Sequence, residues 1–149
     1  MVAAHFSIRN AREGDMALIN SYAHAEGMDS IPGPQRVRVA VNEDDAVVGF
    51  CRLQDDLNGI AYVNPVVVYS LWQGYGVGRA LIEDARALAG ELRLISRGPN
   101  EGFYRKLGFV EMSWKEADLA AASEDCDNCP YRESCGPVPM RLVAESHSD

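Results

Sequence analysis

Apolar and polar residues alternate through RVRVAV (36–41), placing Val37, Val39 and Val41 on one face, the period of a half-buried strand. The same reading predicts strands at FSIRNA (6–11) and AVVGFCRL (46–53). NEDD (42–45) turns the chain between the second and third strands, and the Asn-Gly of DDLNG (55–59) signals the next hairpin. IAYVNPVVVY (60–69) is the most β-prone stretch; Pro65 has no N–H to give a ladder, so a bulge or splay is expected there. The period lengthens in two places. Asp15 offers an N-cap for a helix to about Glu26, with Ile19, Tyr22 and Ala23 on one side and Gly27 as the stop. Leu81, Ile82, Ala85, Leu88 and Ala89 predict a helix over Arg79–Ala89, ended by Gly90. ELRLIS (91–96) then reads as a strand, NEGFYRKL (100–107) as a short helix, and FVEMSW and GPVPMRLV as the last two strands.

The order is strand, helix, three or more strands, helix, strand, helix and two strands. It implies an α/β chain with a central mixed sheet flanked by helices. Its 149 residues suit a single domain, with a core over about 6–143 and an acidic, cysteine-bearing insertion at about 115–136 between the last two strands. No apolar run approaches the roughly 18 residues of a membrane span, and the N-terminus lacks the pattern of a signal peptide; a cytoplasmic protein with no membrane partner is expected. A net charge of −8 argues against a nucleic-acid partner; it is compatible, by electrostatic steering, with a cationic small molecule, and solubility explains it equally well.

The chemistry is most legible at QGYGVG, Gln73 to Gly78, between the strongest strand and the strongest helix. A loop so placed presents unpaired N–H groups at the positive end of a helix dipole, a cradle for a diphosphate. Glycines at 74, 76 and 78 let the backbone approach closely. The Gly-Lys-Ser/Thr of nucleotide hydrolases is absent, and so is the G-x-G-x-x-G of dinucleotide folds.

Gln73, Gly76 and Gly78, directly after a strand ending in VVVY, resemble the most specific motif of the GCN5-related N-acetyltransferases, which bind acetyl-coenzyme A. Phe103-Tyr104-Arg105-Lys106-Leu107-Gly108-Phe109 resembles their second motif, an aromatic-rich helix end running into Gly-Phe, and IRNAREGD resembles their common opening. The resemblance spans roughly residues 6–143. It implies an acyl-coenzyme A N-acyltransferase fold and direct acetyl transfer, in a ternary complex, to a primary amine of a small molecule or a peptide. It further implies that Tyr104 protonates the departing thiolate, since a phenol is only a slightly weaker acid than a thiol. By the same resemblance the splayed strand at Asn64–Val68 pairs with the pantetheine arm through Val66, Val67 and Val68, one N–H facing the thioester oxygen. The amides of Gln73, Gly74, Tyr75, Gly76, Val77, Gly78 and Arg79 hold the pyrophosphate. Asn100 is placed near the pantetheine, although many relatives carry that asparagine seven residues before the tyrosine, where this chain has Arg97.

Two features depart from that pattern. Glu26, Asp29, Asp55 and Asp56 lie on the acceptor side by rough location, and His24, near the end of the first helix, could serve through water; each also reads as a solvated surface group, and no general base is assigned. Cys126, Cys129 and Cys135 form C-x2-C-x5-C; three thiolates suit zinc, and free thiols or a reversible disulfide suit the spacing as well. In the family that loop often shapes the acceptor pocket or a subunit contact, so a homodimer is compatible with it. The rival reading is a non-catalytic acyl-coenzyme A sensor with the cysteines as a metal or redox switch.

Overall fold

The computed structural model describes residues 5–117 and 136–142. In chain order the elements are β1 (Ser7–Asn10), α1 (Met16–Ala25), β2 (Val37–Val41), β3 (Val47–Asp55), β4 (Ala61–Val68), α2 (Val77–Ala89), β5 (Leu92–Ser96), α3 (Glu101–Lys106), β6 (Val110–Glu111) and β7 (Val138–Leu142). The hydrogen-bonded strands stand in the order β1-β2-β3-β4-β5-β7-β6. β4 and β5, joined through α2, run parallel, as a helical crossover allows. The pairs β1–β2, β2–β3, β5–β7 and β6–β7 are antiparallel, so the sheet is mixed as the element order implies. The chain divides into two compact units, Met1–Leu53 with Pro65–Ala85, and Gln54–Asn64 with Arg86–Asp149.

In the first unit, Ile19 and Ala23 of α1 pack on Val37, Val39 and Val41 of β2, with Val47, Phe50, Ile31 and Val67. Burying each large side chain contributes about 1.5–3 kcal/mol. Asp15 stands where the N-cap is expected, but its carboxylate turns backwards. It accepts the Arg12 N–H at 2.7 Å and takes the Arg9 guanidinium at 2.8 and 3.0 Å. A 3-10 turn, Glu13–Asp15, therefore leads into α1 without a forward side-chain cap. The Arg9 hydrogen bond, supported by Arg12, holds the Asp15 carboxyl below the usual carboxylate range against the opposing effect of burial. On the sheet face beneath α2, Arg38 grips Asp84 with two contacts of 2.9 Å and reaches Asn10 at 2.9 Å. Cys51, the partner of Arg38 in the β2–β3 register, is fully buried, and desolvation pushes its thiol up to about 12.

Helix α2 begins at Val77, two residues earlier than the periodicity predicts, because the Gly76 carbonyl accepts the Ala80 N–H at 3.0 Å. Val77, Leu81, Ile82 and Ala85 are buried, whereas Leu88 is 63% exposed. The apolar arc continues to Leu88, but periodicity cannot say where the covering surface ends.

In the second unit the expected hairpin turn is held by Asp56. Its carboxylate accepts the N–H groups of Asn58 and Ile60 at 2.8 and 3.0 Å, and Gly59 takes a left-handed φ of 80°. The β4–β5 register consists of Ala61↔Leu92 and Tyr62↔Arg93, both before Pro65. β5 pairs along its whole length with β7, from Leu92↔Leu142 to Ser96↔Val138. Tyr62, Met112 and Ala117 form a buried cluster with Ile95 and Trp114 against it. β6 is only two residues long, shorter than FVEMSW suggests: the Met112 N–H still bonds Pro139 O on β7 at 2.9 Å, but Pro139 has no N–H to return and the ladder stops.

Candidate functional site: an amide cradle and an aromatic helix end

The glycine loop belongs to the first unit. Tyr69 N–H bonds Val48 O at 2.8 Å as β4 ends, and a 3-10 turn, Ser70–Trp72, follows. The Gln73 side-chain amide donates to Val68 O at 3.2 Å, tying the loop to the end of β4. Gly74 and Gly76 have φ of 88° and 84°, and a Cβ at either would meet nothing within 4 Å. Glycine is thus required by the backbone and not by lack of space. Tyr75 lies between them, 56% exposed, its ring 5.8 Å from Trp72. Val77 is buried and anchors the start of α2, and Arg79 is engaged by Glu83 at 2.9 Å.

Among the described residues, no amide from Gly74 to Arg79 donates to a backbone or side-chain acceptor. Six consecutive donors at the positive end of a helix make a site for an anion with several oxygens. Two left-handed residues in alternation shape the bend that presents them. Val66, Val67 and Val68 occupy the end of β4; Val67 is buried in the first unit's core and its two neighbours are partly exposed.

Tyr104 belongs to the second unit, on α3. Its ring is half-buried between Phe103 at 5.2 Å and Phe109 at 5.6 Å, both edge-on. Phe109 is 2% exposed and anchors the group. The Tyr104 carbonyl accepts the Leu107 and Phe109 N–H groups at 3.0 and 3.1 Å. Gly108, at φ 102°, reverses the chain there, with a Cβ position only 3.2 Å from Leu142 Cδ1. The residues FYRKLGF are therefore a helix end whose turn fixes one tyrosine ring between two phenylalanines.

Asn100 is exposed at the end of a 3-10 turn, its N–H on Arg97 O at 2.8 Å. Of the groups on the expected acceptor side, Glu26, Asp29 and Asp55 are exposed, and His24 Nε2 lies 2.8 Å from Ser30 Oγ. The Asp56 carboxylate is spent on the hairpin turn. Cys126, Cys129 and Cys135 lie outside the described residues.

Residues 34–111 match the acetyltransferase (GNAT) domain. The chain belongs to this family. An uncharacterized N-acetyltransferase of Chlorobaculum tepidum is 26% identical over 94% of this chain and 97% of its own. The peptidyl-lysine N-acetyltransferase YjaB of Escherichia coli is 40% identical over 54% of this chain and 53% of its own. Among solved structures, Rv2747 of Mycobacterium tuberculosis, in complex with CoA, superposes with a TM-score of 0.76 at 18% identity, covering 93% of this chain and 99% of that one. Ard1 of Thermoplasma volcanium does so with a TM-score of 0.71 at 19% identity, covering 95% and 99%. The GNAT fold of this chain is thereby shown.

One feature of the GNAT scaffold here had no signal in the sequence. Tyr22 of α1 and Tyr69 after β4 stack at 5.1 Å with 23° between their planes. They are 47 positions apart, and no local pattern links them. Burial pushes the Tyr22 phenol up, and Tyr69 adds to that shift.

Proposed function

We propose that this GNAT protein transfers the acetyl group of acetyl-coenzyme A to a primary amine by direct attack in a ternary complex. The observation that carries the reading is the run of unengaged amides from Gly74 to Arg79 at the start of α2. Those donors hold the pyrophosphate, an interaction that costs no reorganisation because the two left-handed glycines set the bend beforehand. The end of β4, Val66 to Val68, receives the pantetheine, and one of its N–H groups stabilises the oxygen on which charge grows as the amine attacks. The tetrahedral intermediate then expels the thiolate, and Tyr104 supplies the proton that makes it a thiol. The amine loses its own proton to water or a surface carboxylate. The 40% identity to a peptidyl-lysine N-acetyltransferase supports an amine acceptor, free or on a peptide.

Calorimetry with coenzyme A, followed by an assay of free thiol released from acetyl-coenzyme A with a panel of amines, tests this. Binding at micromolar concentrations with amine-dependent release is expected. Absence of binding at millimolar coenzyme removes the proposal, and binding without amine-dependent turnover replaces it with the sensor reading.

A further inference from the structure

The stacked Tyr22–Tyr69 pair is a fixed object. The Tyr22 hydroxyl donates to Val47 O at 2.8 Å, and the Tyr69 N–H donates to Val48 O at 2.8 Å. The Tyr22 ring, through its hydroxyl, and the Tyr69 main chain, through its N–H, are thus tied to the first two residues of β3. The other aromatic contacts among the described residues lie at 58° to 87°, and only this one is stacked. An edge-to-face contact occupies a ring face with its neighbour's rim, whereas stacking leaves outer faces for something else. Tyr69 keeps 37% of its surface exposed. It also follows Val68 directly, at the end of the strand assigned above to the thioester.

The surroundings in the first unit favour positive charge. Glu26 lies one turn beyond Tyr22 on the same side of α1 and is exposed. Neither Glu26 nor Asp29 enters an ion pair or a side-chain hydrogen bond among the described residues. This end of α1 is also the negative end of its dipole, where carbonyls of the last turn collect. Aromatic faces, a helix C-terminus and unpaired carboxylates all select a cation, and the chain's net charge of −8 acts in the same sense at long range.

We propose that Tyr69, backed by Tyr22 and assisted by Glu26, is a specificity-determining residue that seats a second cationic group of the acceptor. The acceptor is then a primary amine carrying another alkylammonium group, one nitrogen attacking while the other rests on the tyrosine face. The inference rests on the acetyl-transfer reading above. The attacking nitrogen must be neutral, so it is the second nitrogen, still protonated at neutral pH, that the rings read.

The experiment compares 1,4-diaminobutane with butylamine, which differs only in lacking the second ammonium. The wild-type chain is expected to use the diamine with a kcat/KM at least about tenfold higher, chiefly through KM. Tyr69→Leu is expected to reduce that preference by about threefold to thirtyfold, the range of a cation–π contact, with Tyr69→Phe keeping it and Glu26→Gln weakening it. Calorimetric titration with coenzyme A shows that each variant is folded. Equal use of the two amines by the wild type, or a preference unchanged in Tyr69→Leu, overturns the inference while leaving acetyl transfer standing. Coenzyme binding with no amine-dependent thiol release from either amine, or from a wider panel, overturns both. Lysine peptides with and without an adjacent basic residue, run in parallel, separate a free diamine from a peptide as the source of the two charges.

Discussion

Gly76→Ala tests the cradle at its most demanding position. The residue has a φ of 84°, and its carbonyl opens α2 by accepting the Ala80 N–H at 3.0 Å. A methyl group there meets nothing within 4 Å, so no clash is expected. The whole cost is the left-handed backbone, about 1–2 kcal/mol for a residue with a Cβ. The variant has two responses. If it keeps the conformation, coenzyme affinity survives and the melting temperature falls by about 2–8 °C, the size expected for a chain of this length. If it relaxes to negative φ, the peptide planes on either side rotate and at least one amide leaves the cradle. A hydrogen bond to a charged group contributes about 1.5–3 kcal/mol, so affinity falls by about tenfold to 150-fold. Gly74→Ala, at φ 88° with equally open surroundings, is expected to behave alike, and the double variant to show both losses. Calorimetry with coenzyme A and a thermal melt of the apo protein read the two responses separately. A double variant with wild-type stability and wild-type affinity refutes the reasoning, because it means that neither the bend nor its amides matter.

Tyr104→Phe is expected to lower amine-dependent thiol release by about 10²-fold or more with little change in coenzyme affinity, the signature of a lost proton donor; unchanged turnover removes Tyr104 from that role. Asp15→Asn is expected to cost about 1–3 kcal/mol at pH 7, because it exchanges a charged partner of Arg9 for a neutral one. The Asp15 carboxyl is depressed in the folded state, so its contribution is complete above the unfolded value near 4 and is lost as pH falls through the folded one. Urea unfolding of the two proteins should therefore converge in acid, and a difference constant to pH 2 counts against the Arg9 pairing. Gly49→Ala brings a Cβ to 3.0 Å from Val67 O and 3.1 Å from Val77 Cγ1, and a cost of about 1–3 kcal/mol with weaker coenzyme binding is expected; wild-type behaviour shows that the close approach is not needed.

Much of this architecture is legible because its signals are local. The alternation in RVRVAV survives as β2, since burying one face of a strand imposes a period of two on the residues themselves. Glycines after helices are equally readable: Gly27, Gly90 and Gly108 all adopt the positive φ that their place at a helix end demands. The cradle is legible for the same reason, because its donors belong to the backbone and their availability follows from strand, glycine loop and helix in that order. Local signals fail where a residue has two partners to choose from. Asp15 has the composition and position of an N-cap, but Arg9, six residues before it, offers a charged fork that outbids a backbone amide.

The site's less visible half depends on approach between segments, which no spacing records. Gly49 looks like an interruption in a good strand, where glycine costs stability without packing anything. Its function appears only when β4 and α2 are brought in: the Val67 carbonyl and the Val77 side chain come so near that any side chain at 49 must push one of them away. Val77 is the first residue of α2, and Val67 lies in the segment assigned to the thioester. One missing Cβ in β3 therefore sets the separation between the end of β4 and the start of the amide cradle, the two backbone elements proposed to hold one coenzyme. The Tyr22–Tyr69 stack arises in the same way, from two hydrogen bonds to Val47 and Val48, immediately before Gly49. The start of β3 thus acts as the common reference for the cradle, the strand end and the ring pair. Sequence motifs name the loop amides and strand end proposed to hold the coenzyme, while this buried, chemically silent strand fixes where those two stand.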